Sequence, residues 1–204
     1  MDKLRIEDYQ MDVLKEIGNI GAGHAATALS KLIDKQVDMN VPDARFVPFD
    51  QIANSLGGEE QVVAAVYLRV LGDVPGNMFF VVSLDSSKRL LKSLLGLHVE
   101  TDVFTELEIS ALTEIGNILA GSYLSSLSDF TRLKMHPTVP ALAIDMAGAI
   151  LSFGLVEYGQ MGEQALFIDT TFWDGVKEVE GHFFFIPDPD SVSKIFEALG
   201  VPCV

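Results

Sequence analysis

Cysteine is nearly absent from this chain, and the one present, Cys203, stands one residue from the end. No internal disulfide and no multi-cysteine metal site can form, so a reducing cytoplasm is the expected setting. Positive charge is also scarce. Fourteen basic residues stand against twenty-nine acidic ones, a formal charge of −15 over 204 residues. Without a lysine or arginine run there is no stripe to neutralise phosphates, and nucleic acid is not an expected partner. Long apolar runs are missing too. The opening Met-Asp-Lys-Leu-Arg-Ile-Glu-Asp holds no signal-peptide core, and the greasiest segment, residues 141–156, is broken by Asp145 and too short to cross a bilayer. A soluble protein without a membrane partner is expected. His24, His98, His136 and His182 lie at no ligand spacing and the acids form no calcium-loop pattern, so no metal or cofactor of its own is expected.

What the chain does have is a stretch written twice. Asp12-Val-Leu-Lys-Glu16-Ile-Gly-Asn19-Ile-Gly-Ala-Gly23 returns, at an offset of 98, as Ser110-Ala-Leu-Thr-Glu114-Ile-Gly-Asn117-Ile-Leu-Ala-Gly121. After each Asn come 22 residues and then a proline, Pro42 or Pro140. Self-similarity at this distance points to a duplicated unit. With 49% hydrophobic and 21% charged residues the chain can bury a core. The expectation is a single domain, 1–204, of two repeats at about 8–96 and 105–200, and a monomer with internal pseudo-symmetry.

Each repeat reads helix, strand, short helix, hairpin, helix. Apolar residues at 14, 17, 25, 28 and 32, with Gly21 on the same stripe, predict a helix over about 8–32, and Thr105 with Glu108 predicts a capping box opening a second helix to about 129. Strands are expected at 37–41, 44–49, 61–70, 78–84, 135–144, 164–173 and 179–186, and further helices at 86–95, 145–158 and 191–199. Tight hairpins imply antiparallel pairing. The fold class is therefore α+β: two pseudo-twofold-related halves of antiparallel strands with two long amphipathic helices.

The chemistry-bearing residues lie on one face of these helices. At 100° per residue Asp12, Glu16, Asn19, Gly23 and Ser30 fall within one arc, opposite Leu14, Gly21, Ala25 and Leu32. Ser110, Glu114, Asn117 and Gly121 repeat the phase, with Leu124 at the place of Ala26. An isolated exposed Glu and Asn are usually just solvated. Duplication argues otherwise, because Asn is a mediocre helix former and stands mid-helix twice on an outward face that packing does not use. A phosphate-binding glycine loop is ruled out by the second copy, where Leu119 replaces the middle glycine and no Lys-Ser or Lys-Thr follows. Glu and Asn alone cannot stabilise a phosphoryl transition state, so the rest must come from a partner; if a phosphoprotein supplies its own metal ion and lysine, an outside side-chain amide can complete the geometry by holding a water in line.

An acid or Ser, three residues, Glu, two residues, Asn, 22 residues and Pro, once per half, resembles the motif of the CheC, CheX and FliY phosphatases of chemotaxis. Two motifs in one chain without a further flagellar-switch domain resemble the CheC type most. The resemblance covers essentially the whole chain. It implies that phosphorylated CheY is the substrate, that Asn19 and Asn117 orient the hydrolytic water, that Glu16 and Glu114 contact the CheY lysine, and that Mg2+ belongs to CheY. It further implies a contact with the receptor deamidase CheD through a helix after Pro140, at Ile144-Asp145-Met146, where physics alone reads Asp145 as a residue favoured at a helix N-terminus. The rival reading is a non-catalytic adaptor for CheY or CheD, which needs the exposed face but not the intact amide.

Overall fold

Two helices of 26 residues each, α1 at Asp8–Ile33 and α4 at Glu106–Thr131, carry the repeated stretch. The computed structural model describes residues 8–48, 51–158, 164–173, 178–189 and 191–200; Cys203 lies outside them. Thr105 caps α4 as its sequence predicts: its hydroxyl accepts from Glu108 N at 3.4 Å, and its own N–H donates to Glu108 Oε2 at 2.7 Å. The stripe of α1 turns Leu14, Ile17, Ala25 and Leu29 into the core. Leu32 departs from the expectation and is 56% exposed, because the buried part of the helix ends at Leu29.

Between and after these helices come β1 (Asp38–Asn40), β2 (Ala44–Pro48), α2 (Ile52–Ser55), β3 (Val62–Gly72), β4 (Gly76–Ser83) and α3 (Leu84–Leu95) in the first half. The second half adds β5 (Met135–Pro137), β6 (Ala141–Met146), α5 (Ala147–Tyr158), β7 (Gln164–Trp173), β8 (Glu178–Pro187) and α6 (Ser191–Ala198). Several boundaries differ from the sequence reading. The strand expected at 37–41 is only Asp38–Asn40, with Val37 and Val41 outside it and buried. The expected strand at 135–144 is interrupted before Pro140, which cannot donate to a ladder, and resumes as β6. Asp145 is a strand residue paired with Val63 rather than the start of a helix. Helix α5 opens two residues later, where the N–H groups of Ala147 and Gly148 find the carbonyls of Gln61 and Glu59 at 2.8 and 2.9 Å. The strand expected at 44–49 is described to Pro48; Phe49 lies outside the described residues.

All the ladders are antiparallel and join eight strands in the order β1-β7-β8-β4-β3-β5, with β2 also on β7 and β6 also on β3. The order is symmetric about the β4–β8 ladder, and two antiparallel neighbours exchange only under a twofold axis perpendicular to the sheet. It is also interleaved. The edge strands β1 and β2 of the first half pair with the hairpin of the second, and β5 and β6 pair with the hairpin of the first.

Period-two alternation in the strands feeds two cores, one on each face of the sheet. Residues such as Val66, Phe80, Ile168 and Phe183 meet α1, α3, α4 and α6, whereas Ala65, Phe79, Phe167 and Phe184 meet α2 and α5. On this second face Arg45 of β2 bonds Asp169 of β7 at 2.7 Å and Asp43 at 2.6 Å, and His182 of β8 meets Asp169 at 2.8 Å. Burial works to lower the Arg45 pKa, but the bonds from Asp169 and Asp43 outweigh it and the net shift is upward. The cluster ties the edge strand to its neighbours across the two halves.

Candidate functional site

Helices α1 and α4 lie side by side on one face of the sheet, and the twofold makes them antiparallel. They meet where Gly21 faces Tyr123 and where His24 Nδ1 lies 3.3 Å from Ser126 Oγ. His24, exposed on α1, thus reaches across the helix pair. A Cβ on Gly21 would stand 2.7 Å from the Tyr123 ring, so glycine is what lets the helices approach, and it offsets the ~1 kcal/mol that glycine costs a helix. The Tyr123 hydroxyl reaches Thr170 Oγ1 at 3.1 Å; burial pushes its pKa up to about 12 against the opposing effect of that bond.

The outward faces carry the repeated residues as the helical phase requires. Asp12, Glu16 and Gly23 are exposed on α1, Ser110 and Glu114 are exposed on α4, and Asn19 and Asn117 are half-buried. Nothing stands within 4 Å of a Cβ built on Gly23 or on Gly121, so each motif is open on that side. Beyond Gly23 an open groove of about 700 Å³ runs along the end of α1, floored by Gly23, Ala26, Thr27 and Ser30, with Lys31 and Lys35 at its far end. Leu124, at the place of Ala26, does not line the second site. It is turned into the core at 2% exposure, where it packs among the apolar residues under the helices.

The two pairs do not converge. Each lies on the N-terminal side of the crossing on its own helix, and antiparallel packing sends them toward opposite ends of the helix pair. Asp145, exposed where β6 passes into α5, belongs to neither; its carboxylate accepts from Met146 N at 2.7 Å. Among the described residues no group of three or more His, Cys, Asp or Glu is placed to hold a metal ion, and no helix is long and apolar enough to cross a membrane.

One polar partner was not legible in the sequence. The backbone N–H of Val41 donates to Asn19 Oδ1 at 3.0 Å. In the second copy Asn117 Nδ2 instead donates to Glu114 Oε2 at 3.4 Å on the same helix. A main-chain donor leaves no mark in residue types, and the 22-residue interval before Pro42 was the one available signal.

Twofold-related helices over a shared antiparallel sheet define a class of fold, and the comparisons with known proteins place the chain in it. A model of the CheC-like family matches residues 10–44 and 107–144, the two segments that carry the motifs. The chain is 42% identical over 200 residues to the CheY-P phosphatase CheC of Bacillus subtilis, covering 96% of each chain. It belongs to the CheC-like family. The flagellar motor switch phosphatase FliY of the same organism is 24% identical over 68% of this chain and 36% of its own length. In fold it is similar to Thermotoga maritima FliY, with a TM-score of 0.75 at 20% identity over 96% and 98% of the two chains. The FliM middle domain of H. pylori follows the same fold, with a TM-score of 0.67 at 13% identity over 95% and 99%.

Proposed function

We propose that the chain hydrolyses the aspartyl phosphate of the chemotaxis response regulator CheY at two sites, one on α1 and one on α4. The observation that carries this reading is the recurrence of Glu and Asn one turn apart, at the same phase, on the outward faces of two helices. The name of the Bacillus subtilis relative supports the substrate.

In-line attack on phosphorus requires a water held opposite the leaving carboxylate and positive charge on the equatorial oxygens. Asn19 and Asn117 supply the first: an uncharged amide both donates and accepts, so it can hold a water without repelling the phosphoryl group. Neither Glu nor Asn supplies the second, which comes from the Mg2+ and lysine of the substrate. Glu16 and Glu114 pair with that lysine and set the docking register. The purified chain should accelerate phosphate loss from CheY charged by a small phosphodonor, and chelation of Mg2+ should stop it. An unchanged decay rate at saturating chain, with CheY binding intact, would leave an adaptor and not an enzyme.

A second contact, with the receptor deamidase CheD, is proposed at Ile144-Asp145-Met146, supported by the exposure of Asp145 and Met146. Binding of purified CheD should fall in Asp145→Lys; unaltered binding counts against it.

A further inference from the structure

The two copies of the motif are built differently, and the difference centres on the residue before the proline. Val41 lies in the connection between β1 and β2, outside either ladder, with its side chain 2% exposed and packed toward Gly18, whose Cβ would stand 3.6 Å away. Its N–H is thereby free to reach Asn19. Because an N–H group can only donate, the Asn19 atom facing it must be the amide oxygen, and Nδ2 is turned away. In the second copy the space over Gly116 is filled from the sheet: a Cβ there would stand 2.6 Å from Val66. Val139, the counterpart of Val41, is 89% exposed, and Asn117 turns to Glu114.

We propose that Val41 is a positioning residue of the first site: its main-chain N–H holds the Asn19 amide in one orientation, and Pro42 holds the segment that carries this N–H. The proposal rests on reading Asn19 as the residue that orients the water. An exposed asparagine samples broad χ2 wells in which oxygen and nitrogen exchange places. A donor fixed to the sheet removes that freedom before the partner arrives, so the amide needs no reordering on the way to the transition state. Proline favours extended backbone in the residue before it, which sets where the Val41 N–H points. In the first copy the 22-residue interval brings this donor to the amide; in the second the same interval does not, because Val66 fills the space over Gly116.

The test uses the full chain carrying Asn117→Ala, so that only the first site acts. Val41→Pro deletes the donor, and the preceding Asn40 is already extended in β1, as a residue before proline prefers. The expected result is a fall in kcat of about tenfold with KM changed by less than about twofold. Val41→Ala, which keeps the N–H and loses packing, should lower kcat several-fold less than Val41→Pro does. In a chain carrying Asn19→Ala, Val41→Pro should add no further loss, because the group it positions is gone. Equal kcat for Val41→Pro and Val41→Ala, or an equal fall at both sites, overturns the proposal. A structural readout stands beside the kinetics: exchange of the Val41 amide proton should quicken in Asn19→Ala, and unchanged exchange also overturns it. If Asn19→Ala costs nothing where Asn117 is already alanine, the reading of Asn19 itself fails; if that substitution abolishes the rate while Val41→Pro does not, only the positioning role fails.

Discussion

Glu16 and Asn19 stand one helical turn apart yet are held differently: the carboxylate projects into solvent, while the amide is half-buried and bonded to the main chain. That difference separates their kinetic effects. An amide acting on the attacking water contributes chiefly in the transition state, so Asn19→Ala with Asn117→Ala should abolish the rate enhancement and leave CheY binding within a few-fold. A carboxylate paired with the partner's lysine acts in the ground state as well. Glu16→Ala with Glu114→Ala should therefore raise KM more than it lowers kcat. Saturation curves for the two double variants check both, and weakened binding with unchanged turnover in the Asn variant would reverse the assignment. The Glu and Asn phase was readable from the sequence because side chains every three to four residues on a helix share a face. The Val41 donor was not, since a backbone group is the same at every residue.

For the helices, the question is why glycine interrupts good helical stretches. Gly21 and Gly23 are two residues apart and serve opposite ends: one touches Tyr123, and the other has no neighbour within 4 Å. Gly21→Leu, which installs the residue the second copy carries as Leu119, should destabilise the fold by about 2 kcal/mol through overpacking against the Tyr123 ring and backbone. Gly23→Ala meets nothing and should stabilise it by roughly 0.5–1 kcal/mol through the lower entropy of the unfolded chain. Thermal unfolding of the two variants orders them about the parent; a gain in both would mean the helices are not held at the Gly21 contact. Because glycine costs a helix about 1 kcal/mol relative to alanine, something must favour these glycines. The sequence could not tell packing at Gly21 from openness at Gly23, because that depends on what the partner helix places opposite.

At the scale of the whole molecule, the twofold puts the motifs on antiparallel helices and sends them toward opposite ends of the pair. Two separate docking surfaces should act on separate substrate molecules. Asn19→Ala alone and Asn117→Ala alone should each retain part of the rate, the two remainders summing to about the parent value, as sites without shared partners do. The remainders need not be equal, given the Val41 bond at one amide and its absence at the other. Complete loss from either single substitution would mean one composite site or one idle copy.

From the sequence alone came the duplication, the two long helices, the α+β class with antiparallel hairpins, and the shared outward phase of Glu16 with Asn19 and of Glu114 with Asn117. All of these rest on local periodicity, capping and repetition, which act over a few residues or compare one stretch with another. Only the tertiary structure decided that each half lends its edge strands to the other's hairpin, that Asp145 lies in a strand rather than opening a helix, that Leu124 points into the core, and that Val41 reaches Asn19 while Val139 is expelled. The physical reason is the same in each case. Register and burial are set by which distant segment fills the neighbouring space, and at Gly18 and Gly116 two nearly identical stretches meet different neighbours, Val41 in one and Val66 in the other.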